Sequence, residues 1–495
     1  MSVLWDALNN IDNITIALLL LSLGIALFYE MINGFHDTAN AVAMIIYTNS
    51  MKAGYSVIMA GIMNFLGVIL GGIGVAYVIV HLLPLDIMVS SDQNATLVMI
   101  FSLLISAVVW NLGTWYVGLP VSSSHSLIGS IVGVSVAFGM MHGFTFSQSV
   151  NWKVVYGILT ALAFAPLFGF VIAFLIMKIS RKLVKNPKFY KTPGVDGKKK
   201  PNFWMRTGII ATGAGVSFAH GSNDGQKGIG LIMIILIGIL PTYYALNMEA
   251  HQYKIMQTRD SAANLAKFYS DNNETITRLL QEKQVISALK IENTITECDV
   301  NQVYNTTLDV STKLDGLKSY SELTKDDRWK IHTAVLCSDN FFGQVERAYK
   351  LIDKDKSDYI ADQRKQLIIS TEYVPFWVII AVALMLGIGT MIGYKRVVLT
   401  IGEKIGSKPI NHMQGTVSQA MAMITILLAN FAHAPVSTTH IVSSSVAGTM
   451  VAEPDGGVQT KTIKTILLAW IFTLPITSLM GAAIYVALSY ITRIS

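Results

Sequence analysis

Asn33-Gly34-Phe35-His36-Asp37-Thr38-Ala39-Asn40-Ala41-Val42-Ala43 places a carboxylate, an imidazole and two amides inside an apolar run that extends from Ile14 to Tyr47. A charged side chain at the centre of a bilayer costs about 3 kcal/mol or more when it is left alone. A run this apolar crosses a membrane, and its polar middle must therefore meet a partner, a cavity or a ligand.

The rest of the chain has the same character. Of its 495 residues 52% are apolar and 14% are charged, against about 25% charged in soluble domains. Apolar runs near the roughly 20 residues that span hydrocarbon recur along most of its length, which predicts an all-α polytopic membrane protein. The net charge of +6 is concentrated: nine Lys or Arg and a single acid, Asp196, lie from Arg181 to Arg206. By the positive-inside bias that loop is cytoplasmic, and no nucleic-acid partner is implied. Met1 to Asn13 has no basic residue, so no cleavable signal is expected.

Alternation from that loop predicts crossings at Ile14–Tyr47, Gly54–His81, Thr96–Tyr116, Leu119–Met141 and Trp152–Met177. Five more follow at Thr207–Pro241, Pro375–Tyr394, Gln414–Phe431, Pro435–Met450 and Ile463–Tyr490. Both termini then lie outside. The organisation is a membrane repeat over 1–180, a basic linker over 181–206, the start of a second repeat over 207–246, a hydrophilic insert over 247–372 on the outer side, and the remainder of the second repeat over 373–495.

The two halves correspond. A second polar island, Phe218-Ala219-His220-Gly221-Ser222-Asn223-Asp224-Gly225-Gln226-Lys227-Gly228, matches the first, and a Pro-Val-Ser-x-x-His segment occurs once in each half. Asp37 and His125 are 88 residues apart; Asp224 and His440 are about 90 apart once the insert is removed. A duplicated unit with an odd number of crossings runs in opposite senses in its two copies, the inverted-topology plan of many secondary transporters. The glycines of the islands, Gly34 in the first and Gly221, Gly225, Gly228 and Gly230 in the second, predict broken helices, whose free N–H groups and dipole would favour an anion. The segments Ser122-Ser123-Ser124-His125 and Ser437-Thr438-Thr439-His440, each preceded by Pro-Val, predict re-entrant hairpins offering hydroxyl donors to a tetrahedral oxyanion.

Candidate substrate-binding residues are therefore Asp37, Thr38, Asn40, Ser122, Ser123, Ser124, Asn223, Asp224, Lys227, Ser437, Thr438 and Thr439. Lys227 stands out, because a lysine in an apolar segment needs an anionic partner. Glu30, His36, His125, His220 and His440 are candidate proton carriers, since imidazole titrates near neutral pH; the plainer role of each is a hydrogen-bonding core residue or, for Glu30, pairing with a helix end. No metal-site spacing of Cys and His and no nucleotide-binding glycine loop is present, so neither a resident metal nor ATP-driven pumping is expected. No catalytic constellation appears, and no cofactor is called for.

At Gly34-Phe35-His36-Asp37-Thr38-Ala39-Asn40 and Gly221-Ser222-Asn223-Asp224-Gly225-Gln226-Lys227 the chain resembles the inorganic phosphate transporter (PiT) family, above all its bacterial low-affinity permeases, over essentially its whole length. The resemblance implies secondary active phosphate uptake at the inner membrane, with substrate between the two islands and the two Ser/Thr tips, in a homodimer. His36 and Lys227 depart from the family signature, which has Asn at both places. A fixed ammonium at Lys227 disfavours sodium there, and the bacterial relatives imply proton symport with phosphate carried as a neutral complex with a divalent metal such as magnesium or zinc. The metal is then a co-substrate. A sodium-coupled phosphate or sulfate symporter and an anion channel are the competing readings; polarity concentrated in four islands, rather than striped along several spans, disfavours the channel.

Cys298 and Cys337 both fall in the insert, where an oxidising outer compartment permits a disulfide. Helical patterning around Ala262–Leu289 and Trp329–Ile352 predicts a small helical extramembrane domain there.

Overall fold

The computed structural model describes residues 2–84, 93–119, 121–192, 201–281, 302–392, 405–454 and 456–492. The helices are α1 Ser2–Asn9, α2 Asn13–Tyr47, α3 Ala53–Leu70, α4 Gly74–Val80, α5 Gln93–Tyr116, α6 Ser123–Met141, α7 Trp152–Leu183, α8 Phe203–Ile239 and α9 Pro241–Tyr244. They continue with α10 Gln252–Gln281, α11 Val303–Lys313, α12 Lys325–Tyr349, α13 Lys354–Leu367, α14 Phe376–Met391, α15 His412–Phe431, α16 Thr438–Ala452 and α17 Thr460–Thr492. Among the described residues no strand forms, and six of these helices are long and apolar enough to cross a membrane. Large apolar side chains such as Leu20, Phe164, Leu167, Ile471 and Leu479 point outward, as lipid-facing positions do.

Contacts divide the chain into two units. The first gathers Leu236–Val374 with the N-terminal stretch through Ile16. Its helices α10 to α13 are amphipathic and enclose Ile331, Phe341, Phe342, Val345 and Ile360. Thr324 and Asp353 cap α12 and α13 by accepting from the amides of Asp327 and Lys356, and Arg364 binds Asp339 and Glu346. Cys337 is buried in this core and is disulfide-bonded; Cys298 lies outside the described residues.

The second unit, Ala17–Pro84, Asp92–Ile235 and Pro375–Ser495, holds the apolar helices. Its pairings match between the halves of the chain: α6 packs on α17 as α16 packs on α7, α5 on α17 as α15 on α7, and α3 on α14. Each half thus lends its Ser/Thr-tipped helix to the last helix of the other.

The expected broken helices at the islands are not found. α2 and α8 run unbroken through Asp37 and Asp224, and at roughly 1.5 Å per residue each is longer than the ~30 Å hydrocarbon. The island glycines have another use, since small residues let membrane helices approach closely. A Cβ on Gly34 would run into the Leu386 carbonyl and the Thr390 amide of α14, and one on Gly221 into the Asn64 carbonyl of α3. Gly389 and Gly67 reciprocate against Met31 and Phe218. The bend comes instead inside the expected Gly54–His81 crossing, which is split into α3 and α4 at Gly71 and Gly72; the latter has φ +82°, open to glycine without strain. Gly221→Ala is expected to cost about 1–3 kcal/mol by overpacking, read as a lower midpoint of thermal unfolding in detergent. An unchanged midpoint would mean that α3 and α8 part freely.

Candidate functional site

The interruptions that matter lie before α6 and α16. Ser122 and Ser437 are extended residues whose hydroxyls accept from the amides of His125 and His440, the N-cap arrangement that satisfies a helix's first free donors. Each cap sets the next two hydroxyls on the first turn of a buried helix, so Ser123 and Ser124, and Thr438 and Thr439, form two matching tips. The tips touch: the Ser124 hydroxyl donates to the Val436 carbonyl at 3.0 Å, and the His125 and His440 rings lie 4.6 Å apart.

Each tip is held by a charged residue of the opposite half, the second by Asp37 and the first by Lys227. Asp37 Oδ1 accepts from the Thr439 hydroxyl at 2.5 Å and from Asn40 Nδ2 at 2.8 Å, and its Oδ2 accepts from Thr438 at 3.1 Å. On α8, the Lys227 ammonium donates to Asp224 Oδ1 at 2.7 Å, to the Ser124 hydroxyl at 2.5 Å and to the Val436 carbonyl at 2.5 Å. Those bonds use all three ammonium hydrogens. Asn223 fixes the second tip's entry, donating to the Ala434 carbonyl and accepting from the Val436 amide. Asp37, Asp224 and Lys227 are almost completely buried.

His220 joins the two aspartates. Its Nε2 lies 3.3 Å from Asp37 Oδ2 and 3.6 Å from Asp224 Oδ2. A chain of hydrogen bonds assigns its tautomer: Thr390 donates to the Leu386 carbonyl, Asn64 Nδ2 donates to the Thr390 hydroxyl, and Asn64 Oδ1 therefore faces His220 Nδ1 as acceptor. Nδ1 carries the hydrogen. In the neutral ring the Nε2 lone pair then points at two carboxylates, and the three groups present ligand atoms within 4.8 Å of one another. One nitrogen and two carboxylate oxygens are a donor set a divalent cation accepts. Spacing along the chain could not reveal it, because the ligands come from helices almost two hundred residues apart.

The remaining expected residues fall elsewhere. Thr38 bonds to the Gly34 and Thr390 carbonyls, tying α2 to α14, so its hydroxyl is turned away from the carboxylates. Ser122 and Ser437 are caps. Ser123 offers its carbonyl to the Tyr29 hydroxyl. His36 is buried on α2, and His440 stacks on Trp470 at 3.8 Å. Glu30 is fully buried one turn before the island. Asn64, Thr390, Tyr29 and the Val436 carbonyl are site components that sequence reading missed; a buried Asn in an apolar helix was the available signal for Asn64.

A helical membrane protein whose core holds two carboxylates, an ammonium and two hydroxyl tips is built to pass ions. The chain belongs to the phosphate transporter family, whose model matches residues 33–481. It is 42% identical to the low-affinity inorganic phosphate transporter PitA of Escherichia coli K12, over 94% of this chain and 96% of that protein. It is 41% identical to PitB of the same strain, over 96% and 97%. In fold it is similar to a solved sodium-dependent phosphate transporter, with a TM-score of 0.54 at 19% identity, covering 96% of this chain and all of the other. The chain is a transporter and not an enzyme.

Proposed function

We propose that the protein imports inorganic phosphate across the bacterial inner membrane by proton symport and alternating access, carrying it as a neutral complex with a divalent metal. The observation that carries this reading is the mixed charge of one buried cluster. Lys227 and the hydroxyls of Ser124, Thr438 and Thr439 are donors for phosphate oxygens, whereas Asp37, Asp224 and His220 Nε2 are acceptors. A bare dianion would gain the first set and be repelled by the carboxylates. A metal–phosphate pair satisfies both, and its neutrality lowers the cost of entering a low-dielectric interior.

Lys227 already neutralises Asp224, which argues against a sodium ion at that carboxylate. The matched helix pairings and matched tips support an inverted repeat whose tips re-enter to meet the islands. The basic stretch from Arg181 to Arg206 supports termini and insert on the periplasmic side; a disulfide at Cys337 fits that compartment. The homodimer follows from the family resemblance.

The test is uptake of labelled phosphate by reconstituted protein under imposed proton or sodium gradients, with and without magnesium. Proton-driven, metal-dependent accumulation is expected; sodium-driven uptake indifferent to a proton gradient would overturn the reading. Two substitutions separate framework from site. Ser437→Ala, removing a cap, is expected to cost about 1 kcal/mol of stability with little change in uptake per folded molecule. Thr439→Val removes a hydrogen bond to a charged group, worth about 1.5–3 kcal/mol, and uptake should fall roughly tenfold or more.

A further inference from the structure

We propose that Glu30 is the site of the coupled proton. The assignment rests on the proton-symport reading and deepens it.

Glu30 differs from the other two intramembrane acids of α2 and α8 in what surrounds it. Asp37 accepts from two hydroxyls and an amide, and Asp224 Oδ1 from an ammonium, with its Oδ2 3.6 Å from His220 Nε2; each has at least one short hydrogen bond from a donor suited to a carboxylate. Glu30 has 0% exposure, one long contact from Asn33 Nδ2 at 3.5 Å, and an Oε1 with no partner among the described residues. Asn33 Oδ1, one turn along the same helix, is likewise buried and unpartnered. Two orphan acceptors in one place lack a donor between them. A proton on the carboxyl supplies it, turning Glu30 into an O–H donor and removing a charge that burial makes costly.

The protein has made room for this group. A Cβ on Gly228 would overlap the Glu30 carboxyl, so glycine at that position lets the acid lie directly against α8, one residue beyond Lys227. Asp224 and Lys227 are the charged groups of α8 that act on it. Asp37, His36 and Tyr29 are the titratable neighbours on its own helix. The acid also breaks the correspondence of the two halves: Glu30 lies seven residues before Asp37, and the residue seven before Asp224 is Ser217, whose hydroxyl donates back to the Gly213 carbonyl. The two aspartates and the two hydroxyl tips come in matched pairs; this acid comes once.

Its coupling has the sign of symport. Ionised Glu30 places a second negative charge beside Asp224, draws on the Lys227 ammonium and opposes an anion. Protonated Glu30 leaves Lys227 to the phosphate, so substrate and proton favour each other's binding, as linkage requires of both. The only bond made and broken is O–H at the carboxyl, with water on one side as donor and water on the other as acceptor.

The experiment uses the full chain in proteoliposomes with labelled phosphate and magnesium. A one-unit pH gradient can drive about tenfold accumulation per proton. Wild type is expected to accumulate phosphate; Glu30→Gln, a permanent mimic of the protonated acid, should retain phosphate–phosphate exchange and lose the accumulation. Undiminished accumulation by Glu30→Gln in proton-driven wild-type conditions overturns the assignment alone. Loss of exchange together with accumulation in folded Glu30→Gln also overturns it, by placing Glu30 in substrate binding. A wild type indifferent to the gradient sinks the symport reading itself. If Glu30→Gln does not fold, Gly228→Ala presses on the carboxyl without removing it, and the pH profile of driven uptake should shift; an unshifted profile overturns the proposal.

Discussion

Asp37→Asn is expected to lower phosphate uptake about 100-fold or more while leaving a folded protein in the membrane. The carboxylate takes Thr439 and Asn40 on one oxygen and Thr438 on the other, with His220 Nε2 at 3.3 Å. Asparagine has the same shape, but its NH2 would face a donor where an acceptor is needed. Two hydrogen bonds to a charged group, at about 1.5–3 kcal/mol each, are weakened together with one of the three ligands open to a metal. The helix itself is untouched, since α2 is secured by Gly34 against α14 and by Thr38. The measurement is uptake normalised to folded protein from size-exclusion profiles. Normal uptake by Asp37→Asn would remove this carboxylate from the mechanism, and Asp224→Asn should fail as Asp37→Asn does.

Lys227→Gln should do still more harm, because it affects stability as well as transport. Removing one partner of a buried ion pair leaves the other charge uncompensated, at a cost of about 3–5 kcal/mol, and here Asp224 would be stranded at 0% exposure. The Ser124 hydroxyl and the Val436 carbonyl lose the ammonium that draws the two tips together. A large drop in the thermal midpoint and uptake at background are expected. The double variant Lys227→Gln/Asp224→Asn separates the two effects: it should regain most of the stability and none of the transport. Transport recovered in the double variant would show that the pair is structural.

The membrane character, the two islands, the two tips and the need of Lys227 for an anionic partner were all legible from residue type and spacing, because an uncompensated polar group in an apolar run has few explanations. The state of the helices was not. Glycine both breaks helices and lets them touch, and only the partner across the contact decides; for Gly34 and Gly221 the partners are Leu386 and Asn64, far away in sequence. The crosswise pairing was hidden for the same reason. Spacing matched Asp37 to its own half's serines, whereas the structure brings it to Thr438 and Thr439. His220 read as one of five interchangeable candidates until Asn64 gave it a tautomer and two aspartates gave it a place.

Because Asp37 grips the second tip, Lys227 grips the first, and the tips are bonded to one another through Ser124 and Val436, the two sides of the site are tied together. On the proposed metal–phosphate reading, a metal ion alone would relieve the carboxylates and leave the ammonium and hydroxyls bound where they were; a phosphate alone would do the reverse. Only the pair exchanges both sets of bonds at once. If metal and phosphate travel together as proposed, the crossed grip would work as a coincidence gate that guards against leak: a half-loaded carrier would stay shut, and neither the cation nor the anion would slip across without the other.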